Sequence, residues 1–316
     1  MDSQTQLNPF DHEVVVIGGG AAGLAAATAL ARSRRDVLVV DAGEPRNALA
    51  EGAHNVLGQE GIPPTELLAR GREQLAAYGA QVCTGRVVEA RHAASGFEVD
   101  LADGSTVSAR RLIVTAGVVD VLPDVPGLSR HWGRDVVHCP YCHGWEVRGR
   151  RMAVLVTSPM SVHQALLFSQ LTDELTVLAH GTALDEAAQA QLASLGVDVV
   201  PGRVESVLAE GDRLRGVRLQ DGRELPFEAV VVATRVEVRG DFLGSLGVEV
   251  TEHPSGMGTY VPVDEMGQTS VAGVYAAGNL TDPGAQVMAS AAAGTKAGAV
   301  VNMDLIMTDT TARMSA

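Results

Sequence analysis

Residues 13–24 read EVVVIGGGAAGL, and this stretch decides the fold of the chain. The apolar run at 13–17 predicts a buried parallel strand, and residues 24–32 predict the helix that follows it. A second apolar run, at 35–40, ends at Asp41 and predicts the next strand. A strand, a glycine cluster and a helix in this order are typical of the first βαβ unit of a dinucleotide-binding fold.

The glycine cluster has the spacing G-x-G-x-x-G. Gly18 permits the tight turn, Gly20 lets the backbone approach a pyrophosphate, and Gly23 lets the helix pack closely on the strand. The N-terminus of the helix favours the phosphate charge, and Asp41 is expected to accept hydrogen bonds from a ribose. A glycine-rich packing turn, with Asp41 as a surface residue at a strand end, is the alternative interpretation.

The composition favours a cytoplasmic α/β protein of more than one domain. Of 316 residues, 46% are hydrophobic, only 3% are aromatic and 35 are glycine, which suits parallel layers with many tight turns. A net charge of −14 argues against nucleic acid or an anionic membrane as the main partner. The uncharged residues 14–31 read as strand, turn and helix, not as a membrane span or signal peptide. The polar residues 308–316 predict a loose tail.

Two of the three cysteines lie in the stretch CPYCHGWE. Cys139 and Cys142 have a spacing at which two thiols close a disulfide ring, exchange with another disulfide or pass electrons to a flavin. Half of a zinc site is the alternative, with His138 and His143 as further ligands. We favour a redox pair and predict no metal site, because the chain has no second CxxC and Cys83 is distant in sequence. So few cysteines also fit a reducing compartment.

From Glu13 to Asn302 the chain resembles the low-molecular-weight thioredoxin reductases and related flavoproteins. The resemblance rests on the glycine turn, the cysteine pair and four short motifs: HNVLG at 54–58, TAG at 115–117, GN at 278–279 and QV at 286–287. It implies bound FAD, with the QV motif presenting a helix N-terminus that stabilises anionic reduced flavin. The family usually has Gly-Asp where this chain has Gly278-Asn279, and an Asn still hydrogen-bonds a ribityl hydroxyl.

The resemblance also implies an α/β fold of two Rossmann-like, three-layer dinucleotide-binding domains, the second inserted in the first. The FAD-binding domain then takes residues 1–118 and 246–316, and residues 119–245 form the inserted domain with the cysteine pair. A homodimer is the family expectation. The alternative for Asn55 is a turn residue. The residues predicted to bind FAD are Gly18, Gly20, Ala21, Ala22, Gly23, Asp41, Arg46, Asn47, Asn55, Val87 (through its backbone), Thr115, Ala116, Gly117, Gly278, Asn279, Gln286 and Val287.

The inserted domain lacks the second G-x-G-x-x-A turn with which thioredoxin reductases hold NADPH. Between a predicted strand and a predicted helix, residues 156–161 read VTSPMS. Val156 and Ser158 replace the first two glycines, and Ser161 replaces the last small residue. Side chains then stand where the turn is tightest and where a pyrophosphate must come close, and Pro159 removes a donor N–H.

The next predicted strand, at 176–180, gives the same indication. The family follows it with His-Arg-Arg and a further Arg, which hold the 2′-phosphate of NADPH. Here His180 leads into Gly181-Thr182, and Glu186 takes the place of the further Arg, where a carboxylate would repel a phosphate. We therefore expect no ordinary NADPH site, and a divergent NAD(P)H site formed by another loop is the alternative.

A histidine follows the second cysteine, where ordinary thioredoxin reductases have Asp. The His143 imidazole titrates near neutrality, so it can take a proton from an incoming thiol and return one to a leaving thiolate. The stretch CPYCHGWE also resembles the dithiol oxidases that close disulfides in microbial metabolites such as gliotoxin and holomycin. By resemblance, Cys142 faces the flavin and Cys139 exchanges with substrate, which gives a catalytic set with His143. Glu146 is expected either to orient His143 or to be a surface charge.

We therefore expect an FAD-dependent enzyme that oxidises a small-molecule dithiol to a disulfide, with O2 or another acceptor taking the electrons. The alternative enzyme is a thioredoxin-disulfide reductase that acts on a thioredoxin-like protein, using NADPH at an altered site or a protein donor such as ferredoxin. A flavin-bearing redox sensor is the non-enzymatic alternative, and the intact dithiol argues against it. The missing NADPH signature favours the oxidase, because a reductase needs an electron donor.

Overall fold

The computed structural model describes residues 11–94, 96–158 and 160–315. Within these ranges, the helices are α1 Ala21–Arg32, α2 Pro64–Ala76, α3 Leu128–His131, α4 Pro140–Val147, α5 Met160–Phe168, α6 Glu186–Ser194, α7 Phe242–Leu246 and α8 Val287–Ser315, with one 3₁₀ turn at Gly278–Leu280. The strands are β1 His12–Ile17, β2 Val37–Asp41, β3 Gln81–Thr84, β4 Val87–His92, β5 Phe97–Leu101, β6 Thr106–Val114, β7 Val118–Val121, β8 Val136–Val137, β9 Met152–Leu155, β10 Leu175–Leu178, β11 Asp198–Val200, β12 Val204–Glu210, β13 Arg213–Leu219, β14 Glu224–Pro226, β15 Ala229–Val232, β16 Arg235–Val238, β17 Thr251–Glu252, β18 Thr259–Tyr260 and β19 Val274–Ala276.

The described residues form two compact units. The first comprises the residues up to Ala48, Val56–Val119 and those from Val236 onward. Its main sheet has the order β3-β2-β1-β6-β5-β4, with β19 beside β6. Strands β3, β2, β1, β6 and β19 run parallel, in the order of a dinucleotide-binding fold, and β5 and β4 run antiparallel to complete the sheet.

The apolar run of β1 is uninterrupted because both faces of its sheet are covered. Val14 and Val16 pack into a cluster with residues of α1 and α8. Val15 and Ile17 point to the other face and pack with residues of β4, β5 and α7. Alternation of side chains between two buried faces explains why this central parallel strand has no polar positions after Glu13.

Helix α8 packs so closely against α1 that the backbones of the two helices are in contact. A Cβ atom at Gly294 would overlap the backbone of Ala22, and one at Gly298 would lie 3.1 Å from the Cα of Ala26. The prediction of a loose tail after residue 308 is wrong, since α8 continues to Ser315. Side chains from strand β6 and from the loop before β2 hold the second half of α8 in place. Arg35 Nε donates to Asn302 Oδ1 at 2.8 Å, and Arg111 and Arg110 pair with Asp304 and Asp309.

The second unit comprises Leu49–Asn55 and Asp120–Arg235. Its parallel sheet has the order β11-β10-β9-β15-β8, and β12-β13-β14 form an antiparallel sheet of their own. Residues of α4, α5 and α6 pack on one face of the parallel sheet, and residues of β12 and β13 pack on the other. Two parallel-sheet units of this kind confirm the predicted α/β class with two Rossmann-like folds.

The bounds of the units differ from the predicted domain bounds at two segments. Residues 236–245, which the sequence assigned to the inserted domain, lie in the first unit. There Ser245 Oγ donates to the carbonyl of Ala90 at 2.9 Å, and Phe242 is buried in the core. Residues 49–55, assigned to the FAD-binding domain, lie in the second unit, where they contact α4. Among the described helices, none is long and apolar enough to cross a membrane.

Candidate functional site

The glycine turn between β1 and α1 is held by the backbone at the end of β6. Gly18 has a φ of 111°, and a Cβ atom there would lie 2.7 Å from the carbonyl carbon of Thr115. A Cβ at Gly23 would overlap the carbonyl oxygen of Gly18 and lie 2.6 Å from Thr115 Oγ1. Close approach therefore requires glycine at both positions, as the spacing predicts.

Gly20 differs from these two glycines, because a Cβ atom there would meet nothing within 4 Å. It is the N-cap of α1 and gives the helix no side-chain cap, and Ala21 and Ala22 follow it as the first helical residues. Open space beside the backbone at a helix N-terminus suits an anionic group. The chemistry and shape of the turn therefore fit the pyrophosphate of FAD.

Asp41 ends β2 beside this turn. Its Oδ1 accepts the N–H of Gly19 at 3.1 Å, and its Oδ2 lies 3.7 Å from Nη1 of Arg72. A side chain at Gly19 is excluded, because its Cβ would lie 2.6 Å from Asp41 Cγ. The carboxylate is thus fixed next to the candidate pyrophosphate position, and its contact with a ribose stays a prediction.

The motif at 115–117 supports the turn from the next strand. Thr115 Oγ1 lies 2.8 Å from the carbonyl oxygen of Gly18, to which it donates. Ala116 follows, and Gly117 has a φ of 73°, the left-handed region that favours glycine. The carbonyl of Gly117 accepts the N–H of Arg239 at 3.0 Å.

The segment after β19 also approaches the glycine turn. Gly278 has a φ of 84°, and a Cβ atom there would lie 2.9 Å from the Cβ of Ala22. The side-chain amide of Asn279 donates to three carbonyl oxygens of the following loop. These belong to Asp282 at 3.2 Å, Pro283 at 3.4 Å and Ala285 at 2.8 Å. An Asp at 279, as in related proteins, would have no proton to donate to them at neutral pH.

The loop held by Asn279 leads into the N-terminus of α8. Gln286 precedes the helix and Val287 opens it, and the carbonyl of Gln286 accepts the N–H of Ser290 at 2.9 Å. Arg46 Nη1 donates to the carbonyl of Pro283 at 3.1 Å, so it also supports this loop. Asn47 lies in the same turn as Arg46.

The predicted FAD residues thus fall into two groups. All but one lie in the first unit, where the ends of β1 and β6, the turn at Gly278 and the start of α1 come together. Val87 opens β4 of that unit, opposite Leu101. Asn55 is the exception, because it lies in the second unit.

Cys139 and Cys142 form a disulfide at the start of α4, with their Cα atoms 5.2 Å apart. Cys139 is the N-cap, and Pro140 occupies the first helical position, which suits its fixed φ. The N–H groups of Cys142 and His143 lie 3.3 and 3.1 Å from the carbonyl oxygen of Cys139. A helix N-terminus stabilises a thiolate, so the fold favours thiolate formation when the disulfide opens.

The described residues contain no cluster of three or more His, Cys, Asp or Glu side chains placed to hold a metal ion.

His138, the residue before Cys139, is held in place by two contacts. Gln164 Nε2 donates to the carbonyl of His138 at 2.7 Å, and the His138 ring stacks on Trp132 with centroids 5.4 Å apart. Gln164 also donates to the carbonyl of Val232 at 3.3 Å. Gln164 was not predicted from the sequence as a residue that supports the cysteine pair.

Both ring nitrogens of His143 are buried, and neither has a hydrogen-bond partner in the described part of the chain. Burial of the ring lowers the pKa of His143 below its usual value. The charge of Glu146 acts in the opposite direction, and the charge of His54 lowers the pKa further. The imidazole is therefore neutral at pH 7. Because a buried nitrogen without a partner is costly, the ring is suited to accept a proton or a hydrogen bond from a thiol.

The segment at residues 49–55 contacts α4 at two points. Asn55 Nδ2 donates to the carbonyl of Tyr141, between the two cysteines, at 2.8 Å. His54 Nε2 lies 3.5 Å from Oε1 of Glu146 at the other end of the helix. Neither contact was predicted from the sequence, because residues 49–55 lie more than 80 positions before α4 and contain no motif that indicates a contact with it.

An exposed aromatic surface flanks the disulfide. Tyr141 and Trp145 lie one helical turn apart on α4 and are 61% and 66% exposed. The guanidinium carbon of Arg148 lies 3.8 Å from the centre of the Trp145 ring, a cation–π contact. Large exposed aromatic side chains beside a reactive group offer a surface to a substrate.

The turn that replaces the second glycine motif is closed by its own hydrogen bonds. Ser161 is fully buried, and its Oγ accepts the N–H groups of Thr157 at 3.1 Å and Ser158 at 3.4 Å. Val156 is buried in the core of the second unit. The N–H groups of Thr157 and Ser158 are therefore already bonded within the turn. Pro159, which the sequence analysis counted as a lost donor, lies outside the described residues.

His180 lies at the strand end that would hold the 2′-phosphate of NADPH in related proteins. Its Nδ1 accepts the N–H of Val204 at 3.0 Å, and its φ is 52°. Burial lowers the pKa of His180, and the charge of Arg203 acts in the same direction. These contacts give His180 a role in holding β12 to the end of β10. Glu186 begins α6 behind the N-cap Asp185.

Comparison with known proteins covers nearly the whole chain. The family model for pyridine nucleotide-disulphide oxidoreductases matches residues 12–298, which include the glycine turn and the cysteine pair. Thioredoxin reductase sirT of Leptosphaeria maculans is 33% identical, over 96% of this chain and 98% of its own length. Thioredoxin reductase tcpT of Claviceps purpurea is 31% identical, over 84% and 86%. The solved structure of HlmI is 39% identical, with a TM-score of 0.90 and coverage of 96% of this chain and 95% of that one.

Proposed function

The chain belongs to the pyridine nucleotide-disulphide oxidoreductase family, as an FAD-dependent, thioredoxin reductase-like disulfide oxidoreductase, and from this premise we propose that it is a dithiol oxidase. It converts a small-molecule dithiol to a disulfide through Cys139 and Cys142, with His143 as the proton acceptor. The electrons pass through FAD to O2 or another acceptor.

The closed turn at Val156–Ser161 carries this proposal. A reductase needs an electron donor, and the donor of thioredoxin reductases binds by its pyrophosphate to backbone N–H groups at this turn. Here the hydroxyl of Ser161 already accepts the N–H groups of Thr157 and Ser158. A pyrophosphate at these N–H groups would have to displace the Ser161 hydroxyl, so electrons entering from a dithiol are favoured.

The cysteine pair performs two exchanges in this scheme. In the first, a substrate thiol gives its proton to His143, its sulfur bonds to Cys139, and the bond between the cysteines breaks to leave a thiolate on Cys142. In the second, the other substrate thiol attacks the substrate sulfur of the mixed disulfide, and Cys139 leaves. His143 gives its first proton to the leaving sulfur of Cys139 and then takes the proton of the attacking thiol. The product is a cyclic disulfide, and the enzyme holds two electrons and both protons.

Bound FAD would supply the two-electron acceptor for this reduced pair, and with O2 as the final acceptor the product would be hydrogen peroxide. For its binding we propose the glycine turn at Gly18, Gly20 and Gly23, with Asp41 at the ribose. The N-terminus of α8 at Gln286 and Val287 is proposed for the flavin end. The open space at Gly20 and the close packing at the other two glycines support this assignment.

Anaerobic stopped-flow mixing of the FAD-loaded enzyme tests the proposed direction. We expect dithiothreitol, used as the probe dithiol, to bleach the oxidised flavin absorbance, and admission of air to regenerate it with formation of peroxide. NADPH should leave the spectrum unchanged over the same time. The variant Cys142→Ser is the control and should retain FAD without bleaching by the dithiol.

Rapid bleaching by NADPH would instead make the enzyme a disulfide reductase. A thioredoxin-like protein would then be the substrate to test, with the same mixing experiment in the reverse direction. Bleaching by neither reagent, in enzyme that retains FAD, would contradict both enzymatic functions.

A further inference from the structure

Two ionisable side chains act electrostatically on the imidazole of His143. Glu146, three residues further along α4, favours the protonated ring, and His54, in the segment at residues 49–55, favours the neutral ring. Neither is hydrogen-bonded to the ring within the described residues. The two are paired with each other, since His54 Nε2 lies 3.5 Å from Glu146 Oε1.

The exchange proposed above requires His143 in both protonation states. Taking a proton from the substrate turns a buried neutral ring into a buried cation, which is costly unless an anion lies near. Residues three apart in a helix are neighbours on its surface, so the carboxylate of Glu146 is close enough to offset the new charge. The thiolate formed on Cys142 adds a second negative group from the same helix.

We infer that Glu146 is a positioning residue that stabilises the protonated form of His143 during thiol–disulfide exchange, and that its partner His54 opposes this effect. The inference rests on the proposed function, because it concerns the proton of that exchange. His54 limits the effect of Glu146, because its own electrostatic effect favours the neutral ring. Together, Glu146 and His54 allow the His143 ring to be neutral before the exchange and to carry the substrate proton during it.

The surroundings of the pair make conservative variants feasible. The Glu146 side chain is 43% exposed and that of His54 is 23% exposed, so neither fills the core. Glu146→Gln removes the negative charge and should lower the pKa of His143 further. His54→Gln removes a side chain that lowers the pKa of His143, so it should raise that pKa. The opposite directions are the signature of an electrostatic role, because a general loosening of the helix would move both variants the same way.

The test is a pH titration of His143 by NMR in the FAD-loaded enzyme with ¹⁵N-labelled histidine, assigned with His143→Asn. We expect the pKa of His143 to fall in Glu146→Gln and to rise in His54→Gln. His54→Gln should shift the pKa less in the Glu146→Gln background, and Glu146→Asp should restore much of the wild-type value. Matched controls are Glu228→Gln and the exposed His163→Gln, both in the second unit, which should leave the titration unchanged.

The rate of flavin bleaching by dithiothreitol gives a second readout. Its acid limb, where His143 becomes protonated and stops accepting protons, should move to lower pH in Glu146→Gln and to higher pH in His54→Gln. The plateau rate should fall in Glu146→Gln, since the imidazolium is then less stable. Retained FAD and an unchanged melting temperature identify variants that fold.

The outcomes separate the inference from the function on which it rests. Equal His143 titrations in wild type and both variants would overturn the inference and leave dithiol bleaching, and so the proposed function, intact. Shifts of the same sign would overturn it as well. Wild-type enzyme that dithiothreitol does not bleach would refute the proposed function, and the titration would still decide whether Glu146 and His54 control the ring.

Discussion

The side-chain amide of Asn55 donates a hydrogen bond of 2.8 Å to the carbonyl oxygen of Tyr141, inside the redox motif. Asn55 adopts a φ of 57°, a left-handed conformation that Asn tolerates better than most residues because its short polar side chain bonds locally. Since Tyr141 lies between Cys139 and Cys142, a donor on its carbonyl limits how the backbone of the pair moves when the disulfide opens. Asn55 is therefore a positioning residue for the dithiol in this structure, and its contact with flavin stays a prediction.

Asn55→Gly should slow the exchange and leave the flavin bound. Glycine keeps the left-handed backbone and removes only the donor, so the loss is that of one exposed hydrogen bond, about 0.5–1.5 kcal/mol, or roughly 2- to 10-fold in rate. The rate of flavin bleaching by dithiothreitol measures it. Asn55→Asp, which puts a carboxylate against the carbonyl, should be slower still. Loss of FAD from Asn55→Gly at an unchanged bleaching rate would support a flavin contact instead.

Gly20 and Gly23 offer a matched pair of variants in the glycine turn. Gly23→Ala should destabilise the apoprotein and abolish FAD binding, because the new Cβ would lie 2.6 Å from Thr115 Oγ1 and overlap the turn backbone. Gly20→Ala should leave the apoprotein within about 0.5 kcal/mol of wild type, since its Cβ meets open space at a permitted φ of −76°.

The same Gly20→Ala variant should nevertheless bind FAD more weakly, because the methyl group occupies the space expected for the pyrophosphate. Melting temperature of the apoprotein and titration with FAD measure the two effects separately. Undiminished affinity for FAD in Gly20→Ala would place the pyrophosphate elsewhere, whatever the stability of the variant.

The sequence predicts a part of the fold correctly where the pattern of neighbouring residues matches their burial and contacts in the structure. The apolar run that becomes β1 is uninterrupted because both of its faces are buried, and Gly18 and Gly23 after it are required by close contacts with the turn backbone and with Thr115. Motif and geometry therefore point to the same turn. The loose-tail prediction failed for a different reason, since the polar residues of α8 after 303 are held by Arg110 and Arg111, almost 200 positions earlier.

Side-chain contacts inside loops and between distant segments decide the rest of the candidate site, and a single sequence does not specify them. Asn279 reads as a ribityl ligand by resemblance, but its amide is bonded to three carbonyls of its own loop. Ser161 reads as a lost glycine, and in the fold it is the acceptor that closes the turn. In the sequence, His54 is only the residue next to Asn55. Its contact with Glu146 arises from tertiary packing alone.

Ser161→Ala should destabilise the protein by about 1–3 kcal/mol, because two N–H groups in a buried turn lose their acceptor. Urea unfolding measures the change in the free energy of unfolding. Ser194→Ala, at an exposed position at the end of α6, is the control and should stay within about 0.5 kcal/mol of wild type. NADPH should still fail to bleach the flavin in Ser161→Ala, since the turn still lacks glycine at positions 156 and 158. Equal stability of the two variants would mean that the Thr157 and Ser158 N–H groups have other acceptors.

His180 should make stability depend on pH in a window below its usual pKa. Nδ1 accepts the Val204 N–H, which requires a neutral ring, and burial with the nearby Arg203 charge lowers the pKa of His180 in the folded state. Above about pH 6.5, the value for an unfolded histidine, both states are neutral and the full stability is present. As the pH falls below that value, the unfolded state takes up a proton first, so stability is lost until the lowered folded-state pKa is passed.

His180→Asn should flatten this loss between pH 7 and 5, because Asn does not titrate and tolerates the φ of 52°. Urea midpoints measured across the range give the slope for each protein. His143, whose pKa burial also lowers, will keep part of the slope in the variant. His163→Asn, at an exposed position on α5, controls for removal of a histidine and should keep the wild-type slope. A slope in His180→Asn equal to that of wild type would show that folding does not lower the pKa of His180.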